Sequence, residues 1–178
     1  MEVYRPAEDS YLLAKYVEKL VHGRVLDMGT GSGIQAVTAA KKTGVTHVTA
    51  VDLNPDALDF ARKRAEEEEV FGKIEFILSD LFENVSYCFD WILFNTPYLP
   101  SEGEADEISW TGGPTGSEVI KQFLKDSSRF LSKDGSILML YSSLSNINKE
   151  DLAGFECILL EEKSLFFEKL YCVKLNPS

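Results

Sequence analysis

The chain has 178 residues, 44% of them apolar, enough for one domain with a sizeable core. Its 18 lysines and arginines face 29 acids, a net charge of -11 that disfavours DNA or RNA as the main partner, since polyphosphates want a basic surface. No run approaches the ~18 consecutive apolar residues of a membrane span, and the start MEVYRPAEDS lacks the apolar core of a signal peptide.

Apolar residues Leu12, Leu13, Tyr16, Val17 and Leu20 form a helical stripe over residues 7–20, opened by Pro6 and early acids. Residues 24–28 read as a short strand ending in a glycine turn. Residues 32–42 read as a small-residue helix closed by Gly44. A β-branched strand is expected over 47–53, then a helix over 55–69 started by the Asn54-Pro55 pair. Strands follow at 73–78 and 89–94, and a polar, glycine-rich loop at 95–116. Helix returns over 117–131, then a strand over 136–141. Two last strands, 155–160 and 165–175, are joined by a tight acidic turn. This alternation predicts parallel βαβ units in an open α/β sheet with helices on both faces. Cys88, Cys157 and Cys172 are far apart, sit in apolar runs and form no CxxC. They read as reduced core residues of a cytosolic, cytoplasmic protein, and no metal-ligand spacing accompanies them.

Ligands of open α/β sheets sit outside the carboxyl ends of the strands, and the chemically unusual segments fall there. The first strand runs into VLDMGTGSG, where Gly29, Thr30, Gly31 and Gly33 precede a helix with free N–H groups. The spacing is G-x-G-x-G, and Ile34 occupies the third glycine site of a dinucleotide fingerprint, which disfavours a dehydrogenase. Asp27 would repel a pyrophosphate and suits a cation, such as an amino group, directly or through water. Asp52, ending the next strand, is placed to accept both hydroxyls of a ribose. Asp80, in LSDLF, can accept from an adenine amine, while Leu53 and Leu81 supply apolar faces. An amine, a ribose and an adenine without phosphates describe S-adenosylmethionine.

This ordered set resembles the class I S-adenosylmethionine-dependent methyltransferases. The resemblance implies a Rossmann-like, mostly parallel seven-stranded sheet whose last strand is antiparallel, with S-adenosyl-L-homocysteine as the product. In amino-methylating members the fourth strand ends in [N/D/S]-P-P-[Y/F]. Here NTPY matches at Asn95, Pro97 and Tyr98, with Thr96 in place of the first proline. A planar amide or aromatic amine must gain sp³ character to attack a sulfonium methyl. Two acceptors aimed at its N–H groups favour that geometry. The Asn95 side-chain oxygen and the Thr96 carbonyl are the expected pair. Pro97 restricts Thr96 to extended conformations, and Tyr98 can pack on the flat group. Thr96 keeps the carbonyl but loses a proline's φ lock.

The opening VYRPAEDSYLL and the later SWTGGPTGSEVIKQFL resemble the HemK-like methyltransferases of archaea and eukaryotes. Those enzymes modify the glutamine of the GGQ motif in class 1 translation release factors. The resemblance implies one methyltransferase domain over residues 1–178, with a short N-terminal segment that closes over the cofactor and a Ser10 contact to it. Bacterial relatives carry an extra N-terminal helical domain, for which this chain has no room. Glu8 and Asp9 read as acids complementing a helix N-terminus, and Tyr4 as a packing residue. Residues 110–116 either shape the substrate opening or are a plain glycine-rich loop. Eukaryotic relatives work with a small zinc-binding activator over an apolar sheet edge. Residues 45–51 are either that edge or core. N6-adenine methylation of nucleic acid and a non-catalytic cofactor-binding scaffold stand as the alternative functions.

Overall fold

The computed structural model describes residues 5–97 and 117–178, so Tyr4, Tyr98 and segment 110–116 lie outside the described residues. The elements are α1 (Glu8–Leu20), β1 (Gly23–Met28), α2 (Ile34–Ala40), β2 (Val45–Asp52), α3 (Pro55–Glu67) and β3 (Ile74–Leu78). They continue with β4 (Phe89–Asn95), α4 (Glu118–Ser127), β5 (Leu131–Ser142), β6 (Phe155–Ser164) and β7 (Lys169–Pro177). Local chemistry sets several of these starts. The Asn54 side chain accepts from the Asp56 N–H at 3.0 Å, with Pro55 next in the first turn of α3. Glu8 and Asp9 lie in the first turn of α1 and Lys19 in its last.

Among the described residues seven strands form one sheet, in the order β3-β2-β1-β4-β5-β7-β6. The first five are mutually parallel, and β7 runs antiparallel between β5 and β6. Strand residues alternate between two buried clusters, as the pleat requires. Leu138 and Leu140 of β5 pack with Leu13 and Val17 of α1 and Ala36 of α2. Ile137 and Met139 pack on the other side with Ile120 and Phe123 of α4. Helices therefore cover both faces, as expected.

Four expectations need correction. The helix expected over 117–131 ends at Ser127. A 3-10 turn, Ser128–Phe130, follows, and Leu131 already pairs with Phe89. Strand β5 is thus longer than 136–141, because polar Ser132, Lys133 and Asp134 hide its first half from a hydrophobicity reading.

The β6–β7 turn is not the acidic one. Glu161 takes Lys15 at 2.5 Å and the Tyr16 hydroxyl at 2.8 Å, Glu162 takes Lys169 at 2.8 Å, and the strand continues through them. The chain reverses at Leu165–Glu168, closed by Leu165 N–H to the Glu168 carbonyl at 2.8 Å. Phe166 and Phe167, read as strand, are exposed at its tip.

Only Cys172 is a core cysteine. Cys157 lies on β6, an edge strand exposed over much of its length, and Cys88 is exposed just before β4. Of the two readings of residues 45–51, edge or core, the core one holds. Strand β2 lies between β1 and β3, and its residues are mostly buried. The edges are β3 and β6.

Candidate active site

The parallel register brings the ends of four strands level. Met28 pairs with Val51 and with Phe94, and Asp52 pairs with Leu78. The loop 29–33, Asp52, Asp80 and Asn95 therefore meet at one end of the sheet.

Gly29, Gly31 and Gly33 take φ of 62°, 52° and 77°. Glycine is required at position 33 twice over, since a Cβ there would also stand 2.8 Å from the Ala61 Cβ. The Thr30 N–H donates to the Val51 carbonyl at 2.8 Å, tying the loop to β2. Asp27 is 1% exposed, and one of its oxygens accepts from the Thr30 hydroxyl at 2.7 Å and the Ala36 N–H at 3.0 Å. The Ala36 N–H belongs to the first turn of α2, which leaves it without a helical partner. Burial pushes the Asp27 carboxyl up to about 7, against those two hydrogen bonds, and the nearby Asp52 charge adds to the rise. Asp27 thus braces the loop through one oxygen.

Asp52 accepts from the Gly31 N–H at 2.8 Å on one oxygen and from the Asn54 N–H at 2.9 Å on the other. Burial raises its pKa, and these backbone donors oppose the rise. Each oxygen retains a lone pair for a further donor. Beside it Leu53 is half exposed, and Asp80 is exposed beyond β3. Leu81 takes φ of 44°, in the left-handed region that non-glycine residues rarely enter. Ser79 holds that turn. Its hydroxyl donates to the Leu81 carbonyl at 3.0 Å and accepts from the Asn84 N–H at 2.9 Å. Strain held by such bonds is typical of ligand-binding turns.

At the end of β4 the Asn95 amide nitrogen donates to the Asp9 carboxylate at 2.8 Å and lies 3.4 Å from the Ser10 hydroxyl. Among the described residues the Asn95 oxygen is buried with no hydrogen-bond partner. Ser10 is itself buried, and its carbonyl accepts from Gln35 at 2.8 Å. Asp9 is the site residue that the sequence reading missed. A carboxylate in the first turn of a helix already has a role there, and only the packing of α1 reveals a second. At position 96 the Thr N–H donates to the Leu140 carbonyl at 3.0 Å, extending the β4–β5 ladder by a bond no proline can make. The rigidity that the missing proline would supply is provided this way. The Thr96 hydroxyl, like the Asn95 oxygen, is buried without a partner among the described residues.

A buried acceptor left unpaired is costly, and native proteins retain few. Here one lies at the end of a parallel strand, at the same end of the sheet as the glycine loop, Asp27 and Asp52. No lysine or arginine stands among these residues, so a phosphate would meet only acids. The arrangement fits a phosphate-free nucleoside with a cationic tail, next to a group with N–H bonds to donate.

The family model described as methyltransferase small domain matches residues 6–155, and the chain belongs to that family. It is 39% identical to a Methanocaldococcus jannaschii protein assigned as a protein N5-glutamine methyltransferase, over 97% of this chain and 90% of that one. It is 34% identical to the release factor glutamine methyltransferase of Rhodopirellula baltica, over 79% of this chain but only 57% of that longer protein. Among solved structures, E. cuniculi Mtq2 superposes with a TM-score of 0.78 at 28% identity, covering all of both chains. That structure is of a complex with Trm112 that methylates the translation termination factor eRF1. M. capricolum TrmK, solved with S-adenosyl-homocysteine, shares the fold at a TM-score of 0.67 and 17% identity, over 93% of this chain and 67% of that one.

Proposed function

We propose that this chain uses S-adenosylmethionine to methylate the side-chain amide of a protein glutamine, that of the GGQ motif in a class 1 translation release factor, in the cytoplasm. The observation that carries the reading is the unpaired, buried Asn95 oxygen, fixed in direction by Asp9. A glutamine amide has two N–H bonds to offer, and its nitrogen is unreactive while planar. The Asn95 oxygen accepts one N–H and the Thr96 carbonyl the other, turning the nitrogen's lone pair in line with a methyl donor. Pro97 holds Thr96 extended, and Tyr98 is assigned to pack against the flat amide.

The residues present fit the cofactor. Asp52 keeps lone pairs for ribose hydroxyls, exposed Asp80 suits an adenine amine, and Leu53 and Leu81 suit its faces. The second Asp27 oxygen suits the amino group, while Ser10 and the loop of Gly29, Thr30, Gly31 and Gly33 line the approach. Bound there, S-adenosylmethionine supplies a sulfonium methyl for transfer.

A small zinc-binding activator fits the β3 edge, where Phe71 and Leu78 are exposed and Phe71 stacks on Phe76 at 5.9 Å. The similar Mtq2 was solved with the partner Trm112. Edges of this kind take up partners as added strands.

The test is mass spectrometry of a class 1 release factor incubated with the protein and S-adenosylmethionine, beside a parallel incubation with oligonucleotides. One methyl on the GGQ glutamine is expected. Label found only in nucleic acid would overturn the reading in favour of adenine methylation.

A further inference from the structure

Phe166 and Phe167 are 101% and 94% exposed, the most exposed large apolar side chains among the described residues. Adjacent full exposure of two aromatic rings is unfavourable in water, and contiguous exposed apolar surface marks interaction sites. The tip that carries them is firmly built. Leu165 packs at the margin of the core, and its N–H closes the turn onto Glu168. Ser142 bonds the Glu168 carboxylate, and the Lys169 N–H donates to the Ser143 hydroxyl at 3.0 Å.

The tip stands on the rim of the active site. Asn95 is level with Leu140 of β5, which is level with Cys172 of β7, and β7 begins at Lys169. At ~3.3 Å per residue and ~4.8 Å per strand, Lys169 at the base of the tip stands about 10 Å beyond Asn95 and about 10 Å to its side, and the turn carries Phe166 and Phe167 beyond it. A second link is direct. Asp9 holds Asn95, and its neighbour Glu8 pairs with Lys163 at 2.7 Å, just before the turn.

We infer that Phe166 and Phe167 grip the protein that carries the target glutamine, through an apolar patch of its surface outside the glutamine loop. This rests on the protein-glutamine reading above. Asn95 and the tip stand at the same end of the sheet, so a protein large enough to bring its glutamine to Asn95 is close to the two rings. A net charge of -11 opposes both an acidic membrane and a second copy of this chain. The β3 edge, where an activator fits, is the opposite margin of the sheet from β6.

The test replaces both rings, Phe166→Ser with Phe167→Ser, and compares methylation of an intact class 1 release factor with that of a short GGQ peptide. The KM for the intact factor should rise about tenfold or more, with kcat and both peptide constants within about twofold of wild type. An unchanged KM for the intact factor overturns the inference, as does an equal loss on both substrates. A wild-type dimer that the double variant converts to monomer also overturns it, in favour of self-association. Wild-type protein that methylates neither substrate, alone or with a Trm112-like activator added, refutes the glutamine reading itself, and the docking inference with it.

Discussion

The Asn95 side chain gives an N–H to the Asp9 carboxylate at 2.8 Å, and this fixes which end of the amide is committed to the protein. A free asparagine could present nitrogen or oxygen to a substrate. The Asp9 oxygen accepts the amide N–H, so it selects the rotamer that leaves the Asn95 oxygen as the uncommitted end. Asp9→Ala removes the selection. Methyl transfer should fall about 10- to 100-fold, while S-adenosyl-homocysteine binds within about threefold of wild type. Asp9→Asn retains an acceptor oxygen and should recover part of the rate. Single-turnover kinetics beside calorimetric binding separate the two effects. Equal losses in rate and affinity would instead make Asp9 a cofactor ligand.

Asn95→Ala tests the acceptor itself. Removing one positioned acceptor of a reacting group costs ~3 kcal/mol, so transfer should fall by about two decades or more. Cofactor binding should persist, because Asp27, Asp52 and the glycine loop do not depend on Asn95. An Asn95→Ala protein of undiminished rate would show that the planar nitrogen is held elsewhere.

Thr96 separates family pattern from local physics. Thr96→Pro restores the first proline of the motif but deletes the N–H that bonds the Leu140 carbonyl. A lost bond of this kind costs ~1 kcal/mol, so the unfolding midpoint should drop despite the closer match to the pattern. Thr96→Val keeps that N–H and removes a buried hydroxyl without a partner. It should be neutral or stabilising by about 1 kcal/mol. Denaturant melts of both variants decide the matter, and a Thr96→Pro protein more stable than wild type would refute the compensation.

That the glycine loop, Asp27, Asp52 and Asp80 gather at one end of the sheet was legible in the sequence because its signals are local. Glycines sit within a few residues of Asp27, and Asp52 and Asp80 each end an apolar run. What stayed hidden depends on contacts between distant residues. Asp9 and Asn95 are 86 residues apart and meet only because α1 lies across β4 and β5. Glu161 and Glu162 look like a turn until Lys15, Tyr16 and Lys169 neutralise them. Strand order, too, depends on pairing. A β-branched run such as 45–51 reads alike in the centre and at an edge, and only the placement of β3 beyond it decides.

The β3 edge yields its own prediction. Leu78 is 52% exposed at the end of that strand. Leu78→Asp should leave the melting temperature within ~2 °C of wild type. It should weaken capture of a Trm112-like partner about tenfold or more, as a charge does in the apolar centre of an interface. Titration calorimetry with purified partner reads the affinity. Undiminished binding would move the partner to another face.

Asp27 makes the cofactor end sensitive to pH, and its sign follows from its position. Burial holds its pKa at about 7 in the folded protein, well above the ordinary carboxylate range. Between about pH 4 and pH 7 the folded state therefore keeps a proton that the unfolded chain has released. Stability must fall as pH rises through that window and level off above it. Asp27→Asn keeps the amide oxygen that accepts from Thr30 and Ala36, and it removes the buried charge. The variant should lose this part of the pH slope and exceed wild type at pH 8 by on the order of 2–4 kcal/mol. It should also bind S-adenosyl-homocysteine about tenfold more weakly, since an amide nitrogen then faces the amino group. Urea melts of both proteins at several pH values measure the difference between them, in which the other titrating groups cancel. Parallel slopes for the two proteins would mean that Asp27 titrates alike in the folded and unfolded chains, and would refute the raised pKa.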